Sequence, residues 1–357
     1  MVNIVFIAGG TGGHLFPAIS TIIKMQQMGH NTHLITDQRC VRYLINYPSI
    51  QYSNYYSIAF IDGIFKKLFA LLLITISTIK ALFFYLKFKP QKVVIFGGYT
   101  TLSGALAAKL LNIELIIHEQ NIVLGRANNL FLKYASKIAT TFEGTLKIDA
   151  KYKSLVFLVG NPSKQDALSL VPINSYIKEQ KVFNILVVGG SQGASIFGKI
   201  MPNILSKLIQ DNREIKFKIT QQARKEDIKL LSKLYEDMSI EYNVQEFYVD
   251  VIDRYLAADL IISRAGSGSI MDLIHASNVG ILVPLPSSAD NHQLKQAEYL
   301  SNQKAAICIE QNLQLEENCI NSIQTLLKNT ELMESYQKNI TQFKKDATSN
   351  LANLILS

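Results

Sequence analysis

The chain has 357 residues, of which 48% are hydrophobic and 18% are charged. This composition excludes a disordered chain, and the length is sufficient for two globular domains that each have a core. The formal net charge of +8 favours anionic partners, namely phosphorylated substrates, nucleic acid or an anionic membrane surface, without choosing among them.

The first half of the chain alternates apolar, β-rich runs with helix-length periodic segments, the pattern of a parallel sheet covered by helices. Strands are predicted in VNIVFIA, NTHLIT, QYSNYYSIAF, KVVIF, ELIIH, KIAT and LVFLVG. Their largely continuous apolar character suits strands buried on both faces.

Because no basic segment precedes VNIVFIA, we interpret it as a strand rather than a signal peptide. The spacing of Cys40, Cys308 and Cys319 fits no metal site, and we expect a reducing cytoplasm.

One segment, residues 65–89 (FKKLFALLLITISTIKALFFYLKFK), is more apolar than a soluble domain requires. Its longest uncharged run, Leu68 to Ile79, is shorter than the roughly 20 residues of a spanning helix, so we predict that it does not cross a bilayer. Apolar residues at helical spacing beside lysines are typical of a helix that lies on an anionic membrane surface. A crossover helix of a soluble domain has the same pattern, and both interpretations stay open. The residues predicted to contact the membrane are Phe65, Lys66, Lys67, Phe69, Phe83 and Phe84.

The character of the chain changes after Gly160-Asn161-Pro162, where a polar stretch broken by Pro172 predicts an interdomain linker. The pattern then restarts, with strands predicted in KVFNILVV, IKFKIT, VQEF, DLIIS, VGILVPL and AAICI. We therefore predict two Rossmann-like, doubly wound parallel-sheet domains, residues 1–162 and 163–335. Residues 336–357 are predicted to form a helix that packs back on the first domain.

Four glycine clusters follow predicted strands, at residues 9–13, 97–99, 189–193 and 266–269. Glycines after a strand let the backbone turn tightly, while the amides of the next helix attract phosphate. Four such turns, at equivalent strand ends of two domains, indicate a ligand site at the carboxyl ends of the strands, in a cleft between the domains.

The first turn also raises the alternative of a dinucleotide site. Asp37, at the end of the second predicted strand, stands about where an acid would bind the ribose of NAD. The turn itself disagrees, because Leu15 takes the place of the third fingerprint glycine and His14 projects from the first helical turn. An NAD-dependent oxidoreductase is therefore a remote alternative.

The motifs GGTGGH, GGY, HEQN, GNP, GGSQGA, SRAG and DNHQ occur in this order, and through them the chain resembles the MurG family over nearly its whole length. The resemblance implies the GT-B fold, in which two Rossmann-like domains face a cleft. It implies an inverting glycosyltransferase that moves GlcNAc from UDP-GlcNAc to the C4 hydroxyl of lipid I (MurNAc-pentapeptide-pyrophosphoryl-undecaprenol), forming lipid II in peptidoglycan biosynthesis. The implied partners are UDP-GlcNAc, lipid I and the anionic cytoplasmic face of the bacterial inner membrane, where the enzyme is peripheral. Nucleic acid is not among them.

The reaction needs a base for the acceptor hydroxyl, and a histidine titrates near neutral pH. His14, at the mouth of the first turn, is the candidate. Glu119 in HEQN could orient His14, act as the base itself or bind the acceptor sugar, and these roles stay open. Gly98 and Tyr99 are assigned to the acceptor. Since no DxD motif appears, we predict metal-independent catalysis without a cofactor, in which helix-terminal amides face the diphosphate.

The resemblance also implies a set of contacts with UDP-GlcNAc. Asp272 matches the family position at the ribose, Tyr248 lies in the segment at the uracil, and Gln293 lies near the sugar. The full set is Thr11, Gly12, Gly13, Asn121, Lys164, Ser191, Tyr248, Gly266, Ser267, Gly268, Ser269, Asp272, His292 and Gln293.

Three departures from the family pattern concern donor affinity and the acceptor loop, and leave the reaction unchanged. Asp272 stands where the family usually has Glu, Lys164 stands where it has Arg, and TTLSG replaces a VSGP-like run after Tyr99. The alternatives within the same fold are a UDP-GlcNAc 2-epimerase and another GT-B transferase. A non-catalytic nucleotide-sugar-binding subunit would be expected to lose His14 or Glu119, and this chain keeps both.

Overall fold

A computed structural model describes residues 1–56, 64–163, 182–189, 195–248 and 250–357, and the side chains of the helix that begins at Ile64 from Leu68 onward. The chain divides into two compact units, Met1–Asp166 with Lys345–Ser357, and Ala167–Lys344. Each unit contains a parallel sheet flanked by helices. The predicted fold class, two Rossmann-like doubly wound parallel-sheet domains, is confirmed.

The sheet of the first unit has seven strands, all parallel. They are β1 (Asn3–Ile7), β2 (Asn31–Thr36), β3 (Tyr52–Asn54), β4 (Lys92–Ile95), β5 (Glu114–Glu119), β6 (Lys137–Thr140) and β7 (Val156–Leu158). Their order across the sheet is β3-β2-β1-β4-β5-β6-β7. The helices that connect them are α1 (Gly12–Gln27), α2 (Gln38–Leu44), α3 (Ile64–Phe88), α4 (Thr101–Leu110) and α5 (Arg126–Phe131).

The second unit has a six-stranded parallel sheet in the order β10-β9-β8-β11-β12-β13, where β8 is Val182–Val188, β9 Lys216–Gln222, β10 Glu241–Gln245, β11 Leu260–Ser263, β12 Val279–Leu282 and β13 Ile307–Cys308. Its helices are α6 (Ser195–Asp211), α7 (Lys225–Asp237), α8 (Val251–Ala257), α9 (Ser267–Ala276), α10 (His292–Asn302), α11 (Leu315–Lys328) and α12 (Thr330–Thr341). Every run in which a strand was predicted overlaps one of these strands.

The apolar strands are buried on both faces, as predicted. Residues Ile4 to Ile7 of β1 are fully buried, because helices pack on each side of the sheet. One core forms between the sheet and α1, and the other between the sheet and α3 and α4. Successive side chains of a strand point to opposite faces, so a strand covered on both needs an unbroken apolar run.

Strand register brings the residues of the glycine turns together. Ile7 in β1 pairs with Ile35 in β2 and with Ile95 in β4, so the residues after these three strands share one edge of the sheet. In the second unit, Ser263 pairs with Val188 and Leu282, which places the segments after β8, β11 and β12 side by side.

The last helix, α13 (Ala347–Leu356), returns to the first unit and packs against α1, with Leu351 and Ile355 buried in that core. Its backbone is held by Lys137, whose Nζ donates to the Leu354 carbonyl at 2.9 Å. The preceding helix, α12, belongs to the second unit, because Leu332 and Met333 pack on its core. The return therefore begins at Lys345, after the predicted boundary at 336.

Candidate functional site

The first glycine turn joins β1 to α1 and places His14 in the first turn of that helix. The φ of Gly10 is 88°, a conformation that glycine adopts readily. His14 Nδ1 lies 3.2 Å from the Thr11 hydroxyl, and a Cβ added to Gly97 would sit 3.2 Å from His14 Nε2. The partly buried imidazole therefore lies against the glycine turn of the neighbouring strand.

That second turn, after β4, contacts the first turn directly. Gly98 has a φ of 78°, and a Cβ added to it would lie 2.8 Å from the carbonyl oxygen of Gly9. Tyr99, which follows, is partly buried against the core beside α3 and α4. Glycine is needed at residue 98 both for its backbone angle and for this close approach.

Asp37 lies against Gly9 of the first turn and is hydrogen-bonded to Thr100, which follows the second turn. Its buried carboxylate accepts hydrogen bonds from the Thr100 hydroxyl at 2.6 Å and from the backbone N–H, Nε and Nη2 of Arg39 at 3.0, 3.2 and 2.7 Å. Burial raises the pKa of Asp37, but the donors of Arg39 and Thr100 outweigh this and keep the pKa below its ordinary value. A Cβ on Gly9 would collide with Thr100 and with Asp37. Because these bonds use both carboxylate oxygens, the acid is unavailable to a ribose, and the observation that motivated the NAD alternative is removed.

Glu119, the second catalytic candidate, is buried and holds its own loop. Oε1 accepts from the Asn121 N–H at 3.0 Å and from Asn121 Nδ2 at 3.2 Å, and Oε2 accepts from the Gly125 N–H at 2.8 Å and from Asn128 Nδ2 at 2.9 Å. Burial raises the pKa of Glu119, against the effect of these donors. Since four hydrogen bonds occupy the carboxylate, the geometry favours a role in shaping residues 119–125 over direct proton transfer.

The predicted diphosphate site in the second unit is the start of α9. Gly266 is the N-cap residue, and the first turn of the helix contains no acidic side chain. Ser267 is buried and Ser269 partly buried, while a Cβ added to Gly268 would meet nothing within 4 Å. The unsatisfied amides of a helix start favour an anionic ligand in such a space.

Three predicted contacts lie on this helix or on the neighbouring helix α10. Asp272 is on α9 itself, and burial raises its pKa to about 7. Gln293, in the first turn of α10, has its Nε2 4.0 Å from the position of a Cβ on Gly266. His292 Nδ1 lies 2.8 Å from the Ala289 carbonyl oxygen. The structure thus brings SRAG and DNHQ together at one edge of the sheet.

The Tyr248 side chain, in the segment predicted at the uracil, packs into its own unit, and a contact of this residue with the donor stays a prediction. Its ring is buried under the guanidinium of Arg254, 4.4 Å away, and its hydroxyl donates to the Asn243 carbonyl at 2.8 Å. Burial raises the pKa of Tyr248 to about 12. The preceding residue, Phe247, is 65% exposed and is the side chain in this segment that a base can stack on.

Some predicted residues lie outside what the structure describes. Lys164 and Ser191 are outside the described residues, and for Phe65, Lys66 and Lys67 only the helical backbone is described. Within the described ranges, no group of three or more His, Cys, Asp or Glu side chains is placed to hold a metal ion.

The helix α3 presents two faces of different character. A stripe of Ala70, Ser77, Ala81 and Tyr85 is buried, and the Tyr85 hydroxyl donates to the Gly104 carbonyl of α4 at 3.2 Å. Large apolar side chains are exposed at Leu68, Phe69, Leu71, Leu72, Ile76, Ile79, Phe83 and Leu86, and we call these the exposed apolar face of α3. By length and composition alone, Leu68–Phe88 is able to span a membrane, with a mean hydropathy of 2.1 and 28% of it buried.

The predicted membrane residue Phe84 is partly buried and packs within its own unit. Its ring stacks on Phe88 with the ring centroids 5.2 Å apart and packs on His33, 4.4 Å away. Residues 83 and 84 are about 100° apart around a helix, so Phe83 is 71% exposed while Phe84 faces the unit.

Known proteins resemble the chain over its full length. Residues 4–140 match the glycosyltransferase family 28 N-terminal domain, and residues 184–351 match the glycosyltransferase family 28 C-terminal domain. The UDP-N-acetylglucosamine--N-acetylmuramyl-(pentapeptide) pyrophosphoryl-undecaprenol N-acetylglucosamine transferase of Rickettsia canadensis (strain McKiel) is 34% identical over 355 residues, covering 99% of each chain. The crystal structure of Acinetobacter baumannii MurG superposes with a TM-score of 0.79 at 28% identity, covering 100% of this chain and 99% of that one. A putative UDP-N-acetylglucosamine 2-epimerase from Listeria monocytogenes shares the fold, with a TM-score of 0.68 at 13% identity, over 99% of this chain and 95% of that one.

Proposed function

The chain belongs to glycosyltransferase family 28, and from this premise we propose that it transfers GlcNAc from UDP-GlcNAc to the C4 hydroxyl of lipid I, forming lipid II. The Rickettsia relative, which matches over the full length, is named for this sugar and this acceptor. The observation that carries the proposal is the placement of His14 between two glycine turns at the carboxyl edge of the first sheet. The 2-epimerase alternative rests on a shared fold alone.

In the proposed reaction, the C4 hydroxyl oxygen of the acceptor attacks C1 of GlcNAc with inversion. The bond from C1 to the phosphate oxygen breaks, and UDP leaves with the electron pair. His14 accepts the hydroxyl proton, a step for which a positioned base contributes typically 10²–10⁴-fold. Thr11 and the turn at Gly97 contact the imidazole. The hydrogen bond from Thr100 to Asp37 stabilises the segment that follows this turn.

The second unit is proposed to bind the donor. The amides at residues 266–269 stabilise the charge that develops on the departing UDP, without a metal. Asp272 accepts hydrogen bonds from the ribose hydroxyls, Phe247 stacks on the uracil, and His292 and Gln293 contact the sugar. The remaining donor contacts stay predictions from the sequence, namely those of Thr11, Gly12, Gly13, Asn121, Lys164 and Ser191.

The pKa of Asp272 predicts that donor binding depends on pH. As the pH rises through about 7, the acid becomes a carboxylate, which accepts stronger hydrogen bonds from both ribose hydroxyls. We expect the affinity for UDP-GlcNAc to rise roughly threefold to tenfold from about pH 6 to about pH 8, measured by calorimetry. UDP-GlcNAc is the probe because, unlike UDP, it has no terminal phosphate that titrates in this range.

Two variants control for other titrating groups. Asp272→Asn is expected to flatten the pH dependence, whereas Asp253→Asn, which removes an exposed acid from the neighbouring helix α8, is expected to leave it unchanged. A slope that survives in Asp272→Asn would assign the titration to another group.

We further propose that the exposed apolar face of α3 binds the membrane that carries the acceptor. Ser77 donates to the Tyr56 carbonyl at 3.3 Å, two residues after β3 ends, so Ser77 lies level with the carboxyl edge of the sheet. A helix that connects parallel strands runs antiparallel to them. At 1.5 Å per residue, residues 64–76 therefore extend beyond that edge, and Ile64 lies about 20 Å past Ser77 along the helix. The exposed apolar face thus extends past the edge at which His14 lies.

The charges around this helix fit an anionic, cytoplasmic membrane surface. Lys80, Lys87 and Lys89 are exposed on or next to α3, and each basic residue near an anionic surface contributes about 1 kcal/mol. Burial of part of the helix against the sheet and α4 supports a peripheral location at the inner membrane.

Glutamate on the exposed apolar face should release the protein from vesicles. We expect Leu72→Glu combined with Phe83→Glu to lower partitioning onto phosphatidylglycerol-containing vesicles at least tenfold, because each lost apolar side chain removes roughly 1.5–3 kcal/mol of burial. Sedimentation with the vesicles measures this. Ile45→Glu combined with Leu230→Glu, at exposed apolar residues of α2's C-terminal end and of α7, adds the same charge as a matched control and should bind like the wild type. Equal loss in both variants would indicate a general charge effect.

The proposed function is tested by incubating the purified protein with UDP-GlcNAc and a short-chain lipid I analogue, without NAD. UDP release that requires the acceptor, together with a disaccharide product, is expected. Consumption of UDP-GlcNAc without acceptor, with formation of its 2-epimer, would support the epimerase instead. Absence of UDP formation with the acceptor present contradicts the transferase.

A further inference from the structure

Arg264, the residue directly after β11, has a guanidinium that joins several segments at the carboxyl edge of the second sheet. Only 8% of Arg264 is exposed. Nη1 donates to the carbonyl oxygens of Val283 and Pro284, both at 3.1 Å, and Nη2 donates to Gln311 Oε1 at 2.7 Å. The guanidinium also lies 5.4 Å from the ring centroid of Phe197 in α6. Arg264 thus ties together the segments that follow β12 and β13.

This cation is buried without a carboxylate partner among the described residues. Burying an unpaired cation opposes folding, and burial lowers the pKa of Arg264. Arginines are rarely buried without an anionic partner. Because stability does not explain the burial of Arg264, we consider what its hydrogen bonds position.

The carbonyls that Arg264 holds begin the loop from β12 to α10. The next residue, Leu285, donates its backbone N–H to Gln293 Oε1 at 3.0 Å. A backbone N–H must meet the oxygen of a glutamine amide and not its NH₂, so this bond fixes which way the amide is turned. Nε2 of Gln293 therefore points away from Leu285, towards Gly266 at the start of α9.

We propose that Arg264 is a positioning residue for recognition of the donor sugar. By holding the carbonyls of Val283 and Pro284, it fixes the Leu285 N–H, and through it keeps Nε2 of Gln293 aimed at an acceptor oxygen of GlcNAc. This inference rests on the proposed function, which places the sugar at Gln293. Lysine cannot take the role, because one ammonium group lacks the planar fork that reaches two carbonyls and Gln311 together.

The test compares the dissociation constants of UDP-GlcNAc and UDP by calorimetry, which needs no transfer reaction. In Arg264→Lys we expect the affinity for UDP-GlcNAc to fall about tenfold, while that for UDP changes less than twofold, since UDP lacks the sugar. A structural role alone would weaken both ligands together, and that result overturns the inference. Arg213→Lys, at an exposed arginine of the same unit, is the control and should change neither constant.

A double-mutant cycle tests whether Arg264 acts through Gln293. Gln293→Ala should also lose about tenfold for UDP-GlcNAc alone, and adding Arg264→Lys should cost no more than a further twofold. Full additivity would contradict the proposed route. If Arg264→Lys does not fold, Gln311→Met is used, because it removes one partner of the guanidinium. It should raise the ratio of the dissociation constants of UDP-GlcNAc and UDP by a smaller factor than Arg264→Lys. An unchanged ratio in Gln311→Met counts against the inference. A wild type that binds no UDP-GlcNAc would contradict the proposed function instead.

Discussion

Replacing His14 by alanine is expected to lower kcat by about 10²–10⁴-fold, while the dissociation constant of UDP-GlcNAc changes less than twofold. The imidazole lies at the turn between β1 and α1, whereas the proposed groups at the uracil, ribose and diphosphate belong to the second unit. Loss of the base removes the acceptor for the hydroxyl proton and leaves those donor contacts in place. Initial rates with a short-chain lipid I analogue and calorimetry with UDP-GlcNAc measure the two effects.

Two further variants sharpen the assignment of the base. His30→Ala removes a histidine of the same unit whose Nδ1 accepts a hydrogen bond from the Val2 N–H at 3.2 Å, and it should keep nearly the full rate. Glu119→Gln cannot keep all four hydrogen bonds of the carboxylate, because one of its two groups becomes a donor, so we expect it to weaken the loop at 119–125. If His14→Ala retained the wild-type rate, the base would have to be sought elsewhere in the first unit.

The sequence predicted the parallel sheets well because their strands are unbroken apolar runs ended by glycine turns. The turn at 9–13 also located His14 at the start of a helix, as the structure has it, and its role as the base stays a prediction. Prediction was less successful where side-chain direction depends on tertiary packing. Phe84 is adjacent to Phe83, yet it turns inward onto His33, which belongs to β2.

Other parts of the site had no local signal in the sequence. Thr100 and Asp37 are 63 residues apart, and their hydrogen bond arises because β1 lies between β2 and β4 in the sheet. Tyr248 belongs to a segment predicted at the uracil, and the sequence did not reveal that its hydroxyl donates to the Asn243 carbonyl of the edge strand β10. The donors that surround Glu119 come from the loop that follows it and from Asn128 on α5, and the motif HEQN gives no sign that this chain folds back on the carboxylate. The contact between Thr100 and Asp37 becomes visible only when the strands are placed side by side.

A large loss of kcat is also expected for Gly98→Ala, and Gly29→Ala is the control variant. The two glycines have nearly the same φ, 78° and 81°, and we expect an alanine to cost about 1–2 kcal/mol of strain at either position. Their surroundings differ, because a Cβ at Gly29 meets nothing within 4 Å, whereas one at Gly98 lies 2.8 Å from the Gly9 carbonyl oxygen. Gly29→Ala therefore isolates the cost of the backbone angle.

We expect the collision at Gly98 to disturb the structure around Gly9. Thr100 and Asp37 fill the space on the Cβ side of Gly9, so a displaced Gly9 backbone is expected to disturb the hydrogen bond between those two residues. His14 packs on the same turn, and a shift of about 1 Å in a reacting group can cost about 10²-fold in rate. We expect kcat to fall about 10²-fold in Gly98→Ala and less than twofold in Gly29→Ala.

Thermal unfolding and initial rates of both variants separate strain from the loss of geometry. Both should lose stability through the shared backbone angle, with a larger loss in Gly98→Ala, and only Gly98→Ala should lose activity in its folded fraction. Equal rates in the two variants would mean that the contact between the glycine turns does not position His14. The predicted difference in kcat between the two variants therefore measures how far catalysis depends on the close approach of two backbones. Only glycine, which lacks a Cβ, permits this approach at residue 98.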